Sequence, residues 1–453
     1  FENFFKEVHG YEPFRWQSRL AKQILEDGHW PDCLKLPTSS GKTATIDIAV
    51  FVLAKQALDG IRGNLSRRIF FVVDRRLIVD EALSRAHKIR KALLKPKPGS
   101  TLEQVSLGLN CLAAKDELES LRPGPQEVHS LEAYSMRGGV FRDLSWTSNP
   151  IQPVIICSTV DQLGSRLLFR GYGSSSTSHS LQAGLVANDA LIILDEAHCS
   201  NPFLQTVSRI QSHQEERAGR PLKLVVMSAT PPPGASHIFS LERPEDLADK
   251  LLDQRLRAKK TAQLIQSKDV TKDLVERALS LFAGGQKNTV VFVNRVQTAR
   301  EVSKRLIDLC GKDQVELLTG RMREVDRTDL VRDLAYLKTG ADKGTNPAKI
   351  VVATQCLEVG ADFDFEALVT ECASISALRQ RFGRLDRNGA QKHSHACIVM
   401  GDKQLEPKNP DPVYGTSLPE CWKWLVSHAT DGTVDFGVLA MDDLLGSHPS
   451  DSI

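Results

Sequence analysis

Short, wholly apolar runs rich in β-branched residues recur along the chain, with helical stretches between them. In the first half they are Ile69–Val73, Val154–Ile156, Leu191–Leu194 and Leu224–Val226. In the second half they are Thr289–Val293, Ile350–Val352 and Cys397–Val399. A strand covered on both faces has no polar side, so these runs predict central strands of parallel sheets. The intervening stretches supply the crossover helices, among them Ile46–Leu53 and a basic helix bearing Arg85, Lys88, Arg90 and Lys91. The fold class expected is α/β.

The series of strands is interrupted once. Pro231-Pro232-Pro233-Gly234 can continue neither a helix nor a central strand. A first lobe is therefore expected over 1–236, a second over 237–404, and a C-terminal linker or accessory segment over 405–453. The full length of 453 residues exceeds one comfortable core, which agrees with two lobes. Lys95-Pro96-Lys97-Pro98-Gly99 and the Ser/Gly-rich stretch 171–180 read as loops, the latter as a mobile one.

Composition narrows the chemistry. The net charge is only +2, so a polyanionic partner has to be met by local basic patches. Nine cysteines, with no C-x-x-C pair, argue against a disulfide framework and a zinc site, and point to a reducing cytoplasm. No apolar run approaches the ~18 residues of a membrane span. The chain opens on Phe1 and stops after Ile453, and is expected to be a portion of something longer.

Leu36-Pro37-Thr38-Ser39-Ser40-Gly41-Lys42-Thr43 joins an apolar stretch to the helix Ile46–Leu53. Phosphate binding needs inward-pointing backbone N–H groups, an ammonium over the β/γ oxygens, and a hydroxyl for Mg²⁺. Gly41, Lys42 and Thr43 provide these, although Leu36 stands where the first glycine of the general pattern would be. Taken alone, an ordinary strand–turn–helix with a solvated lysine competes with this reading. Asp195-Glu196-Ala197-His198 directly follows the strand Leu191–Leu194. Asp195 is placed to hold Mg²⁺ and Glu196 to orient and deprotonate the attacking water. The bland alternative is a surface turn, but an apolar strand ending in this tetrapeptide downstream of Gly-Lys-Thr is much less common.

Gln380-Arg381-Phe382-Gly383-Arg384-Leu385-Asp386-Arg387 supplies a further element. On a continuous helix Gln380, Arg384 and Arg387 would share one face. Planar guanidinium groups suit a transferring phosphoryl because they donate paired hydrogen bonds. A basic nucleic-acid-facing helix is the competing reading, and it leaves the glutamine and Gly383 unexplained.

Taken in order, Pro37–Thr43, Asp195–His198, Met227-Ser228-Ala229-Thr230 and Gln380–Arg387 resemble motifs I, II, III and VI of superfamily 2 helicases of the DEAH type. The resemblance implies two tandem RecA-like lobes, ATP and Mg²⁺ as cofactors, and nucleic-acid-dependent ATP hydrolysis. It implies catalytic roles for Lys42, Asp195, Glu196, Gln380, Arg384 and Arg387, with Thr43 and Asp195 at the metal. Phe14-Arg15-Trp16-Gln17 resembles the upstream element in which a glutamine reads adenine, and Gln17 matches it. Val351–Gln355 with Glu358–Asp362 resembles motif V, which puts Gly360 and Asp362 at the nucleotide beside Thr38, Ser39, Ser40 and Gly41. Ser228 and Thr230, with His198, match residues that couple hydrolysis to lobe movement.

A backbone-gripping motor favours small polar groups and arginines at strand ends. The candidates are Arg75, Arg76, Arg137, Gly138, Ser158, Thr159 and Gln162 in the first lobe. In the second they are Asn294, Arg295, Arg321 and Thr354. Residues in such positions are often plain loop residues.

Ser158–Leu163, Leu194–His198 followed by Asn201-Pro202-Phe203, Gly383–Gly389, and Asp411–Gly415 leading to Trp422 and Trp424 are similar to the type I CRISPR-associated helicase-nuclease, type I-G (formerly I-U) branch. That likeness implies 3′→5′ movement on single-stranded DNA and recruitment by a Cascade-type CRISPR surveillance complex. It also implies an HD nuclease domain elsewhere in the same full-length polypeptide, since no His-Asp dipeptide occurs in this sequence. A DEAH-type RNA helicase and an ATP-switched clamp that does not unwind remain alternatives at this level.

Overall fold

The computed structural model describes residues 1–60, 65–74, 76–113, 129–138, 144–196, 200–214, 221–228, 231–232, 234–282, 287–341, 346–358, 363–391, 393–406 and 411–446. The chain divides into two compact units. One comprises Phe1–Pro37 with Gly41–Asp249, the other Thr38–Ser40 with Lys250–Ile453.

The first unit is built on strands β1 (Cys33–Lys35), β2 (Arg68–Val73), β3 (Glu132–Met136), β4 (Val154–Thr159), β5 (Ala190–Asp195), β6 (Lys223–Met227) and β7 (Ile238–Ser240). Among the described residues they form one seven-stranded sheet in the order β3-β4-β2-β5-β6-β1-β7. Its recorded ladders are parallel. β2 and β4 are buried along their whole length, as their unbroken apolar runs predict. β1 and β5 lie two places apart with β6 between them, and their C-terminal ends carry the phosphate loop and the acidic pair. Ligands of open parallel sheets gather at that edge.

The second unit contains β8 (Lys260–Ser267), β9 (Thr289–Phe292), β10 (Val315–Leu318), β11 (Ile350–Ala353), β12 (Ala367–Glu371), β13 (Ser394–Gly401) and β14 (Thr433–Asp435). Their order is β10-β11-β9-β12-β13-β8-β14, which repeats the first sheet position for position. The one difference is that β14 runs antiparallel to β8. Alternate residues enter separate cores: Val290, Phe292, Val351 and Ala353 face one, and Val291, Val293, Ile350 and Val352 the other. That is the two-periodicity of a strand covered on both sides. These are two tandem RecA-like lobes.

Two boundaries differ from the sequence expectation. The first unit does not end at the proline run, because β7 pairs in parallel with β1. Arg19, on the helix Arg15–Asp27, ties this return down by donating to the Ser240 carbonyl and the Asp246 carboxylate, both at 2.8 Å. The division accordingly falls after Asp249. Nor is 405–453 an appended linker. The helix Ser417–Ser427 buries Leu418, Trp422, Trp424 and Leu425 in the second unit's core, and Phe436 stacks on Phe382 with ring centroids 4.0 Å apart. Stretch 171–180, read as a mobile loop, folds through its own hydroxyls, Ser174 Oγ donating to the Gly171 carbonyl at 2.7 Å, before the helix His179–Ala187 begins.

Candidate functional site

β1 ends and the backbone turns sharply through Thr38–Gly41. Ser39 (φ 64°) and Gly41 (φ 81°) both sit in the left-handed region, so the glycine is needed and the serine is strained. A short 3₁₀ turn, Lys42–Ala44, leads into the helix Thr45–Leu58. Space at Gly41 is also restricted. A Cβ there would meet Gln17 Nε2 at 3.0 Å and the Phe14 ring at 3.3 Å. Gln17 is buried and its amide is spent locally, accepting from Phe14 N at 3.0 Å and donating to the Gly41 carbonyl at 3.2 Å. Gln17 thus braces the loop directly.

Lys42 Nζ lies 3.4 Å from Asp195 Oδ1 and 3.3 Å from Glu196 Oε1, with all three side chains mostly enclosed. Burial opposes the ammonium, but the two carboxylates outweigh it and hold Lys42 above the ordinary lysine value. Burial pushes the Asp195 carboxyl up, Lys42 pulls it down and Glu196 adds to the rise; the net is upward. Asp195 Oδ1 also accepts from Glu196 N at 3.0 Å, and Glu196 adopts φ 53°. That strained backbone aims consecutive carboxylates at one place. Ser228, just beyond β6, is buried and its N–H donates to the Leu34 carbonyl at 3.2 Å. Thr43 follows Lys42 in the same turn.

Two carboxylates with a neighbouring hydroxyl are hard-oxygen donors that suit Mg²⁺, and the ammonium beside them suits a polyphosphate. Among the described residues no separate cluster of His, Cys, Asp and Glu has metal-binding geometry. The eight cysteines among the described residues are free. No helix among them is long and apolar enough to cross a membrane.

The second unit carries the arginines, and here the structure corrects the sequence reading. The helix Ile375–Phe382 stops at Phe382 and turns away at Gly383, so Gln380, Arg384 and Arg387 do not share a helical face. Arg384 instead packs its guanidinium on the loop after β11, donating through Nε (3.1 Å) and Nη2 (2.9 Å) to the Glu358 carbonyl. Arg387 N donates to Asp364 Oδ1 at 2.7 Å. Gly389 (φ 64°) closes the turn, and a Cβ there would lie 2.3 Å from the Gln254 carbonyl. Gln254 Nε2 in turn donates to the carbonyls of Asn388 (3.2 Å) and Gly389 (3.0 Å).

Several residues expected to grip a strand have partners within the fold. Arg137 pairs with Asp80 at 2.7 Å. Thr159 is buried at the start of the helix Val160–Leu167, and Gln162 accepts from Arg166 at 3.0 Å. Asn294 is buried, donating to the Cys372 carbonyl at 2.8 Å and accepting from Arg381 at 2.9 Å. Thr354 is buried too, with Oγ1 3.6 Å from Cys356 Sγ. Gly138 lies in a turn, and Arg321 is exposed. Arg75, His198, Thr230, Gly360 and Asp362 lie outside the described residues.

The sequence reading overlooked Arg381. It is fully buried and contacts Glu358, Thr370, Asn294 and Tyr414. The available signal was helical spacing: at 3.6 residues per turn Arg381 is rotated about 100° from Gln380, toward the side of the buried Phe382.

A family profile described as CRISPR-associated nuclease/helicase Cas3, C-terminal, matches residues 285–390, from β9 through the arginine turn. The CRISPR-associated helicase Cas3 of Thermoproteus tenax is 30% identical over 257 residues, covering 55% of this chain and 41% of that protein. Over these matched parts the chain is similar to Cas3-type CRISPR helicases. The crystal structure of T. fusca Cas3 with AMPPNP superposes with a TM-score of 0.61 at 16% identity, covering 98% of this chain and 53% of that one. The helicase MrfA bound to DNA and AMPPNP gives 0.57 at 15%, covering 90% and 50%. At such identities these two establish the fold. The chain thus spans about half the length, or less, of the Cas3 proteins it matches.

Proposed function

We propose that this chain is the ATP-hydrolysing motor of a Cas3-type CRISPR helicase, and that it moves 3′→5′ on single-stranded DNA. The observation that carries the reading is the Lys42 ammonium set between Asp195 and Glu196 at the ends of β1 and β5. A triphosphate brings the negative charge that would draw Lys42 away from the carboxylates. Thr43 and Asp195 would hold Mg²⁺, which when bound neutralises phosphate charge. Glu196, released from Lys42, is then the base that takes the proton from the attacking water. Arg384 and Arg387 are the proposed sources of guanidinium charge for the transferring phosphoryl, an effect worth ~10³–10⁵ in rate in related chemistry.

A Cascade-type surveillance complex as recruiting partner, and an HD nuclease elsewhere in the full-length polypeptide, are part of the same proposal; relatives named nuclease/helicase support the second.

Lys42→Ala should abolish nucleic-acid-stimulated ATP hydrolysis, measured by phosphate release. A variant that kept the stimulation would sink the reading. Stronger stimulation of the native protein by single-stranded RNA than by DNA would replace DNA as the substrate. Failure to unwind tailed duplexes of either polarity would favour a clamp.

A further inference from the structure

The C-terminal segment holds a turn that the proposed reaction does not yet use. Asp411 Oδ1 accepts from the backbone of Val413 (2.8 Å) and Tyr414 (3.0 Å), and Gly415 N donates back to the Asp411 carbonyl at 2.7 Å. Gly415, at φ 58°, completes a rigid loop. One of its two polar side chains reaches a residue just after a strand of the second unit, the other the helix Ile375–Phe382. Asp411 Oδ2 accepts from Arg295 Nη2 at 3.3 Å, just after β9. Tyr414 OH accepts from Arg381 Nη2 at 3.1 Å.

Arg381 has no solvent exposure and spends its donors on five acceptors. Nε reaches Glu358 Oε1 at 2.8 Å. Nη1 reaches Thr370 Oγ1 at 2.7 Å and the Glu371 carbonyl at 3.0 Å. Nη2 reaches Asn294 Oδ1 at 2.9 Å and the Tyr414 phenol. A buried guanidinium tolerates little rotation, because any lost partner leaves a desolvated donor. It therefore fixes the Glu358 carboxylate. The carbonyl of that same residue receives both hydrogen bonds from Arg384. The chain of contact runs from Tyr414 to Arg381, to Glu358, to Arg384.

We infer that the turn Asp411–Gly415 is a positioning element for the proposed phosphoryl-transfer arginine, acting through Tyr414, Arg381 and Glu358. It touches no reacting atom. It sets where the Arg384 guanidinium rests, and so belongs to the reaction although it lies beyond the last motif of the motor. Burial raises the Tyr414 phenol above its ordinary value, which keeps it protonated and neutral beside Arg381. The inference rests on the ATPase reading above.

Tyr414→Phe tests it, since only the hydroxyl leaves and the ring still fills its place. In the full chain, kcat for single-stranded-DNA-stimulated ATP hydrolysis should fall about tenfold, the lower end of what one hydrogen bond to a charged group contributes. KM for ATP should stay within about twofold. Val426→Ser, at an exposed position of the helix Ser417–Ser427, should leave both constants unchanged. Wild-type kcat in Tyr414→Phe, while Lys42→Ala is inactive, would overturn the inference and leave the ATPase reading standing. A lowered melting temperature with unchanged kcat per folded molecule would also overturn it, since that is what a purely structural hydroxyl does. No stimulated hydrolysis by the native chain would remove both.

Discussion

At the residue scale, charge placement carries most of the argument. Lys42 is buried among carboxylates and stays charged. Lys260 is buried with less compensation. Its Nζ donates to the Phe382 carbonyl at 2.9 Å, at the C-terminal end of the helix Ile375–Phe382. Burial lowers it to about 8, against partial relief from Asp386 and Asp364. Between about 8 and the ordinary value of 10.5 the unfolded chain keeps a proton that the native state has released. Stability must therefore rise with pH across that window at this site. Urea unfolding of the native chain and of Lys260→Met at pH 7.5 and pH 10 should show the difference moving toward the native chain at the higher pH. The shift should be on the order of 3 kcal/mol at most. No movement would mean that Lys260 titrates normally, and movement the other way that its folded-state value is raised; either overturns the expectation.

At the scale of single elements, the sequence announced the central strands and little about the edges. β2, β4 and β9 are fully buried and read as unbroken apolar runs. β3 (Glu-Ala-Tyr-Ser-Met) and β8 (Lys-Thr-Ala-Gln-Leu-Ile-Gln-Ser) are partly exposed and have polar residues interspersed without a two-residue period, so no apolar run marks them. The three-residue strands β7 and β14 are too short for any period to show. The phosphate loop and acidic pair were legible because their chemistry fixes residue types at close spacing. The arginine turn was legible in content but not in shape, because helical spacing cannot foresee a helix that ends at Phe382. What ends it well is the turn closed by Gly389. Gly389→Ala adds a side chain at positive φ and 2.3 Å from a backbone oxygen. It should cost about 2–4 kcal/mol in urea unfolding of the second unit and slow hydrolysis by displacing Arg387.

At the scale of the whole molecule, the segment after Gly401 belongs to the second unit's fold. Shortening the chain to end at Leu405 would remove β14 from the edge of β8 and expose the pocket of Leu418, Trp422, Trp424 and Leu425. Each large side chain contributes ~1.5–3 kcal/mol on burial, so the sum rivals the stability of a domain. The shortened chain should lose cooperative unfolding in calorimetry and bind hydrophobic dye. A sharp, native-like transition would restore the view of 405–453 as an accessory.

The matching strand order of the two sheets has a consequence for stoichiometry. β8 occupies the place in its sheet that β1 occupies in the first, and a helix follows each. Where the loop after β1 carries Gly41-Lys42-Thr43, β8 ends in Ser267 and is followed by Lys268-Asp269, which offers no glycine turn and adds a negative charge. Among the described residues the strand order is doubled, and the proposed phosphate loop occurs in the first unit. On the proposed reading the chain consumes one nucleotide per cycle, and any advance along a strand is paced by single hydrolytic events.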